Sequence, residues 1–205
     1  RVCDRRTEAG WAGLPPDLSR PLLETRRNLD SLHNDLQKSG RISARNVHAC
    51  SAAIVKAARA GDVPRLLEIL KQHHDHSYVH SVKVSALLTL FGVYLDLKAD
   101  DLEILSEGGL LHDIGNPPFG HSGEDSIGAW FAAHFRAGSG LARQVPKGQQ
   151  AEFEHFEGNA QGLRIAGRLE MSRREGGMRL SYATLGSFLK YPCTRMVRDS
   201  VLNGG

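Results

Sequence analysis

From residue 22 onward, apolar residues recur at spacings that place them on one side of a helix, and glycine or proline punctuates the gaps. Leu22, Leu23, Leu29, Leu32 and Leu36 predict a helix over 22–38, with Gly40 just past its end. An Ala- and Val-rich stretch over 43–60, closed by Gly61, predicts a second helix, and Leu66, Leu67, Ile69 and Leu70 predict a third over 63–72. Two more apolar segments follow. Val79, Val82, Val84, Leu87, Leu88, Phe91 and Leu95 mark 78–95, and Leu102, Ile104, Leu105, Leu110 and Leu111 mark 99–112. These are expected to be the two central core helices. Pro117 and Pro118 lack amide donors and force a loop over 115–122. Helix resumes over 124–134, 138–150 reads as a loop, and 156–169 is helical again. A short β-hairpin edge is expected near 174–180, and a last helix over 182–190. Residues 1–21, with Gly10, Gly13, Pro15, Pro16 and Pro21, show little periodicity and read as a loop or a fragment edge. The expected class is an all-α helical bundle occupying 22–205.

Composition narrows this picture. With 205 residues, 40% hydrophobic and 24% charged, the chain can bury one sizeable core and is not a disordered sequence. Its longest apolar run, 84–95, is interrupted by Ser85, Thr89 and Gly92 and is short of the roughly 20 residues that span a bilayer, so no membrane span is expected. The basic N-terminus has no apolar segment after it, which makes a secretory signal unexpected and a cytoplasmic location the default. The first residue is not Met, as in a fragment or processed chain. Cys3, Cys50 and Cys193 are odd in number and far apart, which supplies neither a disulfide framework nor a cysteine zinc site. The net charge is +3. Its basic excess lies in the second half and is mostly arginine, suited to phosphate oxygens, although a solvated basic face would look the same.

The sharpest chemical feature is LLHDIGNPPFGHSGED over 110–125. An apolar helix delivers His112 and Asp113 side by side at its C-terminal end. Adjacent imidazole and carboxylate groups can share one divalent metal if the helix end is distorted enough for both to converge. His80 lies near the start of the other apolar helix, and antiparallel pairing would bring it beside His112. His73, His74 and His76 read instead as the polar start of a helix, because no HExxH arrangement is present. The Gly176-Gly177 pair reads as a turn. Tyr182 and Tyr191 could stack on a base or join the core.

These residues resemble the HD superfamily of metal-dependent phosphohydrolases, whose core is an all-α bundle with ligands in the order H…HD…D. The resemblance implies His80, His112 and Asp113 as ligands of a divalent metal ion, whether Mg, Mn or another transition metal. GNPPFGHSGEDSIGAWF, FEHFEGNAQGLRI over 153–165 and LSYATLGSFLKYP over 180–192 are similar to the deoxyguanosine triphosphate triphosphohydrolase branch. That branch hydrolyses a deoxynucleoside triphosphate to deoxynucleoside and intact triphosphate, and His121 and Glu124 fall on its hydrolytic positions. Asn116 stands where many relatives have His. Arg164 and Arg168, four apart on an expected helix, are candidates for the triphosphate tail, with Asn159 and Gln161 supplying amide groups. The stretch from about 40 to 115 looks more like the HD-GYP branch of cyclic di-GMP phosphodiesterases, with Ser77 where a triphosphohydrolase usually has Arg. Relatives complete the metal shell with a downstream Asp. Asp199 is the one Asp after the KYP segment and its context differs, so a three-ligand site of lower affinity is expected. The resemblance implies a deoxynucleoside triphosphate, single-stranded DNA and a homo-oligomer as partners. Two alternatives stay open: a cyclic dinucleotide phosphodiesterase, and a non-catalytic nucleotide- or nucleic-acid-binding module.

Overall fold

The computed structural model describes residues 20–39, 42–71, 76–170 and 177–190. Among the described residues there are ten α-helices, one π turn and no strand. The all-α expectation holds. The chain divides into two units, one formed by Arg1–His112 with Ala166–Phe188 and the other by Asp113–Ile165 with Leu189–Gly205.

The first unit contains α1 (Arg20–Ser39), α2 (Ala44–Arg59), α3 (Val63–Leu70), α4 (His76–Tyr94), α5 (Ala99–Leu111) and α10 (Tyr182–Ser187). Its most extensive packing joins α4 to α5, with α1 and α5 against α2 and α10 against α5. Leu29, Val47, Ile54, Leu66, Leu70, Val82, Leu102 and Leu111 are fully buried between them. The link over 95–98 is short, and a link of that length joins neighbouring helices antiparallel. The turn into it is hydrogen-bonded: Asp96, at φ 56°, donates to Val93 O at 3.1 Å and Leu97 donates to Gly92 O at 3.0 Å. This double bond pattern satisfies carbonyls that a helix end otherwise leaves without partners.

The α4–α5 contact is narrow because small residues line it. Ser85 Oγ donates to Ser106 O at 2.8 Å and meets Ser106 Oγ at 2.8 Å, and Thr89 Oγ1 donates back to Ser85 O at 2.8 Å. All three side chains are buried, and each hydroxyl is satisfied, which removes the cost of placing it away from water. Gly109 faces Ser85 so closely that a β-carbon there would lie 2.5 Å from Ser85 Cα.

The second unit contains α6 (His121–Arg136), α7 (Gly140–Gln144), α8 (Lys147–Glu154) and α9 (Gly158–Arg164). An aromatic group of Phe131, Phe135 and Phe153 joins α6 to α8, with Phe131 and Phe153 at 5.0 Å between ring centroids. The loop expected over 138–150 is therefore corrected: two short helices occupy most of it. They are too short and polar to display a periodic apolar face, and they are tied by Gln150, whose Nε2 donates to Ala142 O at 3.0 Å and Val145 O at 2.9 Å. The hairpin expected near 174–180 is not formed in its described part, 177–180. Met178 N–H instead donates to Ala166 O at 2.7 Å, so the segment pairs with a helical carbonyl and not with a strand. Residues 174–176 lie outside the described residues, as do 1–19, Tyr191, Cys193 and Asp199.

Candidate metal centre

The antiparallel α4–α5 pair brings the start of one helix beside the end of the other. His80 lies in the second turn of α4 and His112 caps α5, and their ring centroids are 5.3 Å apart. His112 Nδ1 is 2.8 Å from Gly109 O. A carbonyl can only accept, so Nδ1 carries the proton and Nε2 is the coordinating nitrogen. A hydrogen bond of this kind also orients the ring. Asp113 follows His112 directly. The division between the units falls at that peptide bond, so Asp113 is held near the histidines by its covalent neighbour.

One ligand atom each from His80, His112 and Asp113 lies within 4.8 Å of the others, with His80 exposed and the other two half-buried. Nitrogen and oxygen ligands sit about 2.0–2.2 Å from a zinc-sized ion in a tetrahedral array, so two on one ion are about 3.3–3.6 Å apart. Side-chain rotations that draw the donor atoms together by about 1 Å bring them onto one ion. Two imidazoles and a carboxylate suit a borderline divalent transition metal, and the residues fit the group.

The loop after Asp113 is tightly built. Asn116 Nδ2 donates to Asp113 Oδ1 at 3.0 Å, which limits rotation of the carboxylate. Gly115 sits on the backbone of α9: a β-carbon there would collide with Gly158 O and Gly162 N. Further on, His121 Nδ1 lies 2.6 Å from Glu124 Oε2, while Glu124 Oε1 accepts from Gly158 N–H at 2.6 Å. His121 is 84% exposed and Glu124 12%, so a sheltered carboxylate steers an open imidazole. Burial pushes the Glu124 carboxyl up, but hydrogen bonds from His121 and the Gly158 amide, with the charges of His121 and Lys190, outweigh it and hold it below the usual carboxylate range. The ionised carboxylate accepts from Nδ1–H, so in the neutral ring Nε2 is the acceptor nitrogen.

Asn159 Nδ2 donates to Glu157 Oε1, and Glu157 also accepts from Ala160 N–H at 2.7 Å as the N-cap of α9. Asn159 thus donates to the capping carboxylate of Glu157. Gln161 is half-buried and Arg164 and Arg168 are exposed. The α-helix expected to continue through 169 ends at Arg164, and Ile165–Leu169 forms a π turn. His73 and His74 lie outside the described residues.

Sequence reasoning missed Glu107. It sits on the apolar α5 yet is 11% exposed, paired with His48 Nδ1 at 3.1 Å and accepting from Thr184 Oγ1 at 2.8 Å. With Glu103, Arg179 and Ser181 these residues line a cavity of about 450 Å³ in the first unit. No local pattern announces it, because Thr184 and Glu107 are distant in sequence.

Residues 77–178 match the HD domain family, about half of the chain. The described geometry, an all-α arrangement with a histidine facing a His-Asp pair, agrees with that match, and the chain is an HD-domain protein. Its relatives include a deoxyguanosinetriphosphate triphosphohydrolase-like protein of Pseudomonas aeruginosa (strain LESB58), 53% identical over 91 residues, covering 44% of this chain and 20% of that protein. A protein of the same description from Synechocystis sp. is 51% identical over 98 residues, covering 46% of this chain and 21% of the relative. Another, from Listeria innocua, is 31% identical over 165 residues, covering 78% of this chain and 32% of the relative. That alignment is too long to be confined to the second half. The chain spans about a fifth to a third of the length of these relatives.

Proposed function

We propose that this chain carries the hydrolytic centre of a divalent-metal-dependent nucleotide phosphohydrolase that acts on deoxynucleoside triphosphates, dGTP first among them, releasing deoxynucleoside and intact triphosphate. The observation that carries the reading is the convergence of His80, His112 and Asp113 donor atoms within 4.8 Å. Kinship to triphosphohydrolase-like proteins supports the choice of substrate.

His80, His112 through Nε2, and Asp113 are the residues that would hold the metal, with Asn116 positioning the carboxylate. A divalent cation bound there supplies Lewis-acid polarisation of a phosphoryl oxygen and a more acidic water. Phosphoryl transfer depends chiefly on position and electrostatics. Glu124 orients the His121 ring through Nδ1, an arrangement suited to proton exchange between the imidazole and the departing 5′ oxygen. Gly158 N–H holds Glu124 in place. Arg164 and Arg168 offer guanidinium groups to the triphosphate tail, and Gln161 an amide. Single-stranded DNA and a second copy of the chain belong to this reading as partners.

The test is the purified chain incubated with dGTP and Mn²⁺, beside Asp113→Ala, with products separated by ion exchange. Deoxyguanosine with intact tripolyphosphate, lost with EDTA and in the variant together with bound metal, supports the reading. Equal metal content in the two chains refutes the centre. Linear dinucleotide from cyclic di-GMP, without tripolyphosphate from dGTP, reassigns the substrate.

A further inference from the structure

Phe119 occupies a place that the packing of the second unit does not explain. Gly120 N–H donates to Pro117 O at 3.0 Å, which closes a four-residue turn with Pro118 and Phe119 at its centre. Phe119 has φ 69°, the conformation that selects glycine or asparagine at the third position of such a turn. A bulky L-residue is strained there. Its ring is also 92% exposed, so no packing offsets the strain. Conflicts of this kind between residue and local structure gather at functional sites.

The turn is firmly mounted. Gly123 and Glu124 N–H both donate to Gly120 O, at 2.9 and 3.0 Å, and Gly123 lies against Pro118 O with no room for a β-carbon. Glu124 is in turn anchored to Gly158 N–H. A flat apolar ring is thus held open to solvent two residues before His121. Nucleobases are flat, apolar-faced groups that stack on such rings with little regard to identity. In a nucleotide, one sugar separates the base from the phosphorus at which the proposed hydrolysis occurs, and Phe119 lies two residues along the chain from His121.

We propose that Phe119 is the stacking platform for the base of the nucleotide, and so a binding determinant of the site; this rests on the phosphohydrolase reading above. The test measures binding without turnover, by calorimetry in Mn²⁺. The probes are a dGTP analogue with CH₂ in place of the 5′ oxygen, and inorganic tripolyphosphate, which has no base. Phe119→Gly is expected to bind the analogue about tenfold or more weakly, to bind tripolyphosphate as the native chain does, and to recover analogue affinity as Phe119→Trp. The glycine variant should melt no lower than the native chain, since glycine accepts this φ. Unchanged affinity for the analogue overturns the platform. Equal losses for both probes also overturn it, because Phe119 would then only shape the loop. A native chain that binds neither probe refutes the phosphohydrolase reading itself, and the platform with it.

Discussion

Gly109→Ala tests whether the close approach of α4 and α5 governs both stability and the histidine pair. A β-carbon at this position would lie 2.5 Å from Ser85 Cα and 2.8 Å from Ser85 N. Carbon atoms at rest in contact are about 3.5–4.0 Å apart, so about 1 Å of clearance is missing, and the obstacle is main chain that cannot rotate aside. Overpacking of this kind costs about 1–3 kcal/mol, and a backbone obstacle puts this site in the upper half of that range. Alanine returns about 1 kcal/mol through its higher helix propensity. The net expectation is a loss of about 1–2 kcal/mol, or a fall of about 2–8 °C in Tm for a domain of this size. Separating the helices also moves His112, whose Nδ1 is hydrogen-bonded to Gly109 O, away from His80. The rise in Tm on adding Mn²⁺ should therefore shrink in the variant, since a ligand stabilises the fold in proportion to its affinity. Thermal melts followed by circular dichroism, with and without Mn²⁺, measure both effects. A variant more stable than the native chain, as propensity alone predicts, would falsify the close-contact argument. An unchanged metal increment would separate the contact from the histidine geometry.

Other expectations follow from single interactions. Thr184→Val removes the hydroxyl that donates to buried Glu107 and should cost about 1–3 kcal/mol in urea unfolding; an unmoved midpoint contradicts that role. Because Glu124 has a lowered folded pKa, its stabilising effect is present in full above the ordinary carboxylate pKa of about 4.3 and is lost as pH falls through the lower folded value. The stability gap between the native chain and Glu124→Gln should thus persist at pH 5 to 7 and close only below about pH 4; a gap that closes near neutrality argues against the hydrogen-bonded carboxylate. Burial pushes the Cys50 thiol up to about 12, which leaves only about one thiolate in ten thousand at pH 8. In a Cys3→Ser/Cys193→Ser background, Cys50 should react with a thiol reagent only as the fold opens, and labelling at the rate of an exposed thiol would refute its burial.

Helices with a sustained apolar period were legible from sequence, including the α4–α5 pair. The residues that terminate α2 and break the chain ahead of α6 were legible too, because Gly61, Pro117 and Pro118 act through local backbone sterics; α6 begins at His121, two residues inside the loop expected over 115–122. The short helices α7 and α8 were not, since their few polar turns are stabilised by Gln150 and by aromatic contacts with α6. Nor was the π turn at Ile165–Leu169, whose residues form an ordinary helical pattern. Glu107 shows the same limit at one side chain: its burial depends on a hydroxyl in α10, and a carboxylate on α5 otherwise reads as solvent-facing.

What the sequence determined by itself was the set of rods and the donor chemistry: an all-α chain with a His-Asp pair ending one apolar helix and a histidine opening another. Periodicity, proline geometry and side-chain identity act over a few residues, so they are readable in one dimension. The tertiary structure alone decided that Ser85 and Gly109 let the two rods approach closely, that His80 and His112 rings stand 5.3 Å apart, and that Glu124 is clasped between His121 and the Gly158 amide. Apart from the His121–Glu124 bond, which joins neighbours on one helix, those distances result from steric fit between segments far apart along the chain, and no local pattern encodes them.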